Sequence, residues 1–258
     1  MRFNETLLMI NSCRILIFFI IQWPISWLYG QDDCCDPKVD QRLLFEARLS
    51  GDQYQLRKTL GTQLFRDSWF RGDIILTSGE AVTGINLAYN GYLDDLLFAD
   101  PGKGSLIRLD REQILKFVLY DPNKNQSFVF KQLQGSIGNG ARSLDLFARE
   151  LKEDSITLHV TQRFMPDEKI DQEVNGIMIK TTKVKEAIPI YLIGLSEHRF
   201  LAMNKLNRRS LYNVFPEHQE ALKSLLNQHH MSLLNEHDLV KIIQLMENSQ
   251  ILKQSNNH

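Results

Sequence analysis

AVTGINLAYNGYLDDLLF, residues 81–98, is the stretch whose reading decides the fold. Val82, Gly84, Asn86 and Ala88 alternate with Thr83, Ile85, Leu87 and Tyr89, the period of a half-buried strand with one oily face. Asn90 and Gly91 follow. Both accept the positive φ of a two-residue type I′ turn, so a hairpin is expected in which residues 93–98 run back alongside. Upstream, residues 73–77 favour a strand, and Ser78-Gly79 leads directly into the hairpin. Downstream, DPGKG (100–104) turns the chain into residues 105–109, residues 114–120 follow, and Asp121-Pro122-Asn123 turns it again into residues 127–133.

The next pair repeats the pattern. Leu144, Leu146 and Ala148 share one face, the polar turn KEDS (152–155) intervenes, and Ile156, Leu158 and Val160 answer. A helix over residues 143–151 competes, because ARELKE has helical propensity, but the alternation favours the hairpin. After the polar stretch MPDEKIDQE (165–173), residues 176–182, 188–195 and 199–203 add strand candidates. Joins this short cannot hold crossover helices. The pattern therefore predicts a mainly β fold over residues 63–205, an antiparallel meander that is curved or sandwich-like.

Two helices close the chain in this reading, over a tail spanning residues 206–250. Pro216 stands at a first helical position, and Ala221, Leu222, Leu225 and Leu226 make one apolar stripe. Asn235 is the expected N-cap of a second helix carrying Leu239, Val240, Ile242, Ile243, Leu245 and Met246. Helices this short need a surface to pack on, here the sheet, each other or a partner. Residues 31–62 read as a partly helical or flexible lead-in, with Leu43, Leu44, Ala47 and Leu49 near helical spacing, and residues 251–258 as a disordered polar tail.

Residues 1–30 have the order of a secretory signal. Arg2 and Arg14 precede the apolar run ILIFFIIQWPISWL (15–28), and the small residue Gly30 closes it. Gln22 and Pro24 interrupt the run, and a helix crossing the hydrocarbon core needs roughly 20 apolar residues, so export to the periplasm or envelope is expected. An N-terminal membrane anchor is the alternative, and Met9 is an alternative start to Met1. Without Arg2, Arg14 and Glu5, the 30 basic and 31 acidic residues become 28 and 30. Near-neutral charge offers no handle on phosphate backbones or anionic membranes, so a nucleic-acid partner is not expected. Cys13 leaves with the leader, and adjacent Cys34 and Cys35 in QDDCCD cannot staple a scaffold. The core must hold by burial.

Each motif with a chemical reading has a plainer one. Gly102-Lys103-Gly104-Ser105 has an extra glycine between lysine and serine and precedes a strand, so it reads as a turn without a phosphate-binding amide nest. Gly135, Gly138 and Gly140 read as a hairpin loop, without the strand-to-helix context of a dinucleotide fingerprint. The loop would make a reasonable lid if the sheet holds a ligand. Of seven histidines (His159, His198, His218, His229, His230, His237, His258), the nearest to a metal group is His229-His230 with His237. Adjacent residues point about 100° apart on a helix, so that pair cannot share one ion without a break. His159, with Thr157 and Thr161, is placed on the polar side of its strand. Asp94-Asp95 and Glu153-Asp154 lie in or near turns, and no G-x-S-x-G elbow occurs. Trp69, Phe70, Tyr92, Phe128 and Phe130 read as core or rim aromatics, with sugar stacking the alternative. No catalytic, cofactor-binding or metal residue is assigned.

FRDSWFRG (65–72) leading into a strand, LAY (87–89), and PEHQEALKSLLNQHHMSLLNEHDLVKIIQLMEN (216–248) give the chain a resemblance. It resembles uncharacterised exported β-rich proteins of Gram-negative bacteria with a short C-terminal helical tail, over about residues 60–248. The resemblance implies export and a β-rich fold, and carries no functional residues. The sequence thus predicts an exported, non-enzymatic β-sheet protein of the cell envelope with a structural or interaction role and no cofactor. A periplasmic carrier is the alternative, its lipid or other apolar ligand held beneath the two helices, and an unrecognised hydrolase the third. An envelope protein or an apolar ligand is the expected partner.

Overall fold

A computed structural model describes residues 49–138, 142–186, 188–249 and 251. The leader, Cys34 and Cys35, Gly140 and all but the first residue of the expected tail lie outside the described residues. The chain is mainly β. Its strands are β1 (Gly51–Tyr54), β2 (Phe70–Leu76), β3 (Ala81–Asn90), β4 (Asp95–Asp100), β5 (Ser105–Leu109), β6 (Ile114–Asp121), β7 (Gln126–Ile137), β8 (Arg142–Lys152), β9 (Thr157–Thr161), β10 (Phe164–Val174), β11 (Ile177–Glu186), β12 (Tyr191–Ser196) and β13 (Arg199–Met203). Three helices follow: α1 (Arg208–Val214), α2 (Gln219–Gln228) and α3 (Glu236–Asn248).

The decisive stretch forms β3 and β4, with two corrections. Between the pairs Gly72↔Ile85 and Ile74↔Val82, two residues of β3 oppose one of β2. This bulge centres on Gly84, at φ 68°, whose N–H donates to the Asp73 carboxylate at 2.8 Å. It moves Val82 onto the face of Ile85, Leu87 and Tyr89, all in one core cluster. The turn is also longer than a type I′ pair. Asn90 pairs with Asp95, and Gly91 to Asp94 form the loop. Asn90 Oδ1 accepts from the N–H groups of Tyr92 and Leu93, each at 3.1 Å, and Asp94 takes the positive φ, 64°. Gly91 serves close approach instead: a Cβ there would lie 2.4 Å from the Gln162 carbonyl oxygen.

Eleven strands run in the order β1-β5-β4-β3-β2-β6-β7-β13-β12-β9-β8, and β8 pairs back onto β7. Strands β7, β8, β9, β12 and β13 therefore close a ring. Long β7 serves both halves: Gln126 to Lys131 pair with β6, and Phe130 to Ile137 with β8. The meander expectation holds for β2 to β5 and for β6 to β9. It fails at closure, where β13 meets β7 in a short parallel pair, Arg199↔Ser136 and Phe200↔Ile137. The 143–151 helix does not form. Those residues lie in β8 and pair with β7 and β9.

Of the lead-in, residues 31–48, with Leu43, Leu44 and Ala47, lie outside the described residues; its later part contributes β1, which pairs with β5 from Gly51↔Leu109 to Tyr54↔Leu106. The polar stretch 165–173 lies in β10, which pairs only with β11 to form a two-stranded arm. An arm outside the sheet has no apolar face to announce it. Helix α1 was missed because RRSLYNV buries only Leu211; Asn207 caps it, accepting from the Ser210 N–H at 2.8 Å. Pro216 opens a 3-10 turn, and α2 begins at Gln219.

The cores follow from the two faces of the ring strands. Tyr191 and Ile193 of β12, with Leu158, Val160 and Met203, face the helices, where Leu222, Leu226, Leu239, Ile242, Ile243 and Met246 are all 0% exposed. At about 1.5–3 kcal/mol per buried side chain, packing far exceeds what such short helices gain alone. Leu192, on the opposite face, joins Leu133, Leu144, Leu146, Ala148 and Phe200 inside the ring. The first half of the sheet packs on an aromatic cluster in which Phe117 and Phe130 stack at 4.8 Å, with Phe147 edge-on to Phe117 at 5.2 Å. Charged contacts fasten α3. Arg149 donates to both carboxylate oxygens of Glu236, at 2.6 and 2.7 Å, and Lys152 Nζ lies 2.7 Å from Glu247.

Candidate functional site

The ring interior is filled, and among the described residues a cavity lies at each of its two mouths. The first opens into a cavity of about 580 Å³ whose lining includes Lys131, Leu133, Thr157, His159 and Phe200. His159 stands opposite Glu150 of β8 and Leu192 of β12. It is 2% exposed, with the Phe200 ring 6.4 Å away edge-on. Its expected place on the polar side of the strand is thus overturned: closure of the ring turns that face inward. Nδ1 has no hydrogen-bond partner among the described residues. Burial, assisted by the Lys131 charge, lowers the His159 pKa to about 4, so the imidazole is neutral.

Beside it lies a short charged chain. Lys131 Nζ donates to Glu153 at 2.8 Å, and this bond holds the Glu153 carboxyl below its ordinary range. Burial, then the Glu153 charge, pushes Glu150 up. Its Oε2 is buried without a partner among the described residues. The Ser155 hydroxyl donates to Glu247 at 2.7 Å and is not aimed at His159. This mouth therefore offers a neutral ring nitrogen and the Lys131 ammonium, and among the described residues no nucleophile is hydrogen-bonded to His159 Nδ1.

The second mouth is apolar. Its cavity, about 550 Å³, has a floor of Leu144, Leu146, Ile190 and Leu192, with Phe164 and Met165 at the root of the arm. Ile188 and Met165 are 73% and 58% exposed here. Arg142 and Arg163 stand on the rim, while the rim carboxylate of Asp145 lies 3.7 Å from Arg111. Two other recesses are more polar: Arg66, Asp67, Arg149 and Glu186 line one, and Asp95, Arg108, Asp110 and Glu112 line the other. No residue of α1, α2 or α3 lines any of these four cavities. The helices face the ring across the buried side chains of Leu158, Val160, Tyr191 and Ile193.

The remaining sequence candidates have other places. Gly102 to Gly104 form the turn before β5, and Gly135 lies within β7. Asp94 does not solvate a loop. It is 2% exposed and accepts from Tyr89 Oη at 2.6 Å, Arg111 at 2.8 Å and the Phe147 N–H at 3.2 Å, tying the hairpin to β8. Burial pushes its carboxyl up despite these donors. Glu153 binds Lys131, and Asp154 lies 3.2 Å from Lys152. Phe70, Phe128 and Phe130 are core, Trp69 is exposed, and Tyr92 lines the second mouth. His229 caps the end of α2, His230 takes a positive φ and His237 lies in α3. Among the described residues no group of three histidine, cysteine or acidic side chains could hold a metal, and no helix is long and apolar enough to cross a membrane. Residues 188–195 gave the apolar run that lines the second mouth, but its two-faced burial was not legible. Compared with known proteins, the chain matches no protein-family model, no curated protein and no solved structure.

Proposed function

We propose that this chain is an exported, non-enzymatic binding protein of the cell envelope that carries an apolar ligand at the second mouth of its strand ring. One observation carries the reading: exposed Ile188 and Met165 adjoin a continuous floor of Leu144, Leu146, Ile190 and Leu192 in a cavity of ligand size. Export is supported by the signal-like order of residues 1–30. Cell fractionation followed by native mass spectrometry tests both parts. The expected result is a shortened chain in the envelope fraction with a bound apolar adduct, and loss of that adduct in Ile190→Trp, whose larger ring fills the cavity. A full-length cytosolic protein would defeat the export reading. A clean apo mass, with no enhancement of N-phenyl-1-naphthylamine fluorescence on addition of protein, would defeat the carrier reading.

A further inference from the structure

The second mouth is apolar on its floor and cationic on its rim. Arg142 begins β8, and Arg163 lies in the two-residue joint between β9 and β10. Both side chains are exposed. Arg163 acts electrostatically on the buried Asp94 carboxylate, and the rim acid Asp145 lies beside Arg111, at 3.7 Å. The whole chain has a formal charge of −1, which makes this positive edge a local feature. A guanidinium presents paired N–H groups in the plane that a carboxylate accepts best. An alkyl chain lying on leucine and isoleucine would bring its polar end out between the two arginines.

We propose that the second mouth binds a monoacyl carboxylate, its chain on Leu144, Leu146 and Leu192 and its anionic head between Arg142 and Arg163. This rests on the carrier reading above and adds the chemistry of the ligand's polar end. The cavity of about 550 Å³ lies within the range that encloses small organic ligands. The head group stays at the water boundary, where exposed arginines lose little hydration on binding it.

Displacement of N-phenyl-1-naphthylamine, a neutral probe, by dodecanoate and by methyl dodecanoate separates the two layers of the argument. Dodecanoate is expected to displace the probe at least roughly tenfold more effectively than its ester, the scale of one charge-assisted bond. In R142Q/R163Q that preference should vanish, bringing the acid down to the level of the ester, with circular dichroism confirming the fold. Equal displacement by acid and ester in the unsubstituted chain would overturn the carboxylate assignment while leaving the carrier reading standing. So would a preference that survives R142Q/R163Q. Co-sedimentation with phosphatidylglycerol vesicles that dodecanoate does not compete would overturn it too, by assigning the arginines to a bilayer surface. Failure of the probe to bind at all would remove the carrier reading and this inference with it.

Discussion

Acid should weaken the fold through His159 before most carboxylates titrate. The unfolded chain takes up a proton at an ordinary imidazole pKa of 6.5, whereas the folded chain holds the ring neutral down to about 4. A depressed folded pKa contributes stability that is full above 6.5 and is lost as pH falls toward 4, because only the unfolded state gains a proton in that window. One proton is worth about 1.4 kcal/mol per pH unit, so a window of that width costs about 3 kcal/mol. At 2% exposure, solvent does not screen this cost. Urea unfolding of the chain and of His159→Leu from pH 8 to pH 4 measures it. The leucine removes the unpartnered Nδ1 and suits the neighbourhood of Leu192 and Phe200. The two proteins should differ by no more than about 1 kcal/mol at pH 8. The substituted chain should then gain steadily, reaching about 3 kcal/mol near pH 4. Parallel curves across that range would refute the burial argument, since they would mean that the ring is hydrated and titrates alike in both states.

Two other substitutions probe the charged contacts. Glu247 accepts from Lys152, Ser155 and the Ile156 N–H, and although burial raises its carboxyl, these donors outweigh burial and hold it low. Its contribution is therefore present above the unfolded carboxylate pKa and lost as pH falls through the folded one. Glu247→Ala leaves Lys152, 7% exposed, with the exposed Asp154 at 3.2 Å and the Ile156 carbonyl as its remaining partners and should cost about 1–3 kcal/mol at pH 7 in urea unfolding, against less for Lys152→Met with Glu247→Gln together. Asp94→Ala strands the Tyr89 hydroxyl, the Phe147 N–H and part of Arg111. At about 1–3 kcal/mol for each unsatisfied group, a loss of about 3 kcal/mol or more is expected, with Tyr89→Phe costing little further in that background. Full additivity of the two would show that they do not share a bond.

Local pattern carried the strands because each half of a hairpin reports its own buried face. Residues 156–160 and 144–148 were legible for that reason, and Asn235 was legible as a cap because its bond to the Asp238 N–H, 2.9 Å, is made within one turn. The ring was not legible. Its closure depends on Phe200 reaching Ile137, residues far apart in sequence, and the parallel register leaves no turn to signal it. His159 shows the consequence. Thr157, His159 and Thr161 look like a solvent face until β7 and β13 meet, and then that face points inward. Val82 was misassigned for a more local reason: one extra residue at a bulge reverses every side chain beyond it. The second mouth gave no motif, because its residues come from the ends of β7, β8, β9, β10 and β12.

Ring size explains why the cavities lie at the mouths. Eight strands leave a barrel interior just wide enough to fill with side chains or to hold one small ligand, and five strands leave less. Leu133, Leu146, Leu192 and Phe200 fill that space here, so the two cavities are separated by packed core. The arm breaks the symmetry of the two ends. It departs between Thr161 and Phe164 and returns near Ile188, so its root adds Phe164, Met165 and Ile188 to the second mouth alone. Leu60 fixes that root, donating its N–H to the Thr182 carbonyl at 3.0 Å and accepting from the Val184 N–H at 2.8 Å. The apolar mouth is therefore lined on one side by ring strands and on the other by the root of the arm, where Phe164 and Met165 add apolar surface that a five-stranded ring is too narrow to provide for itself.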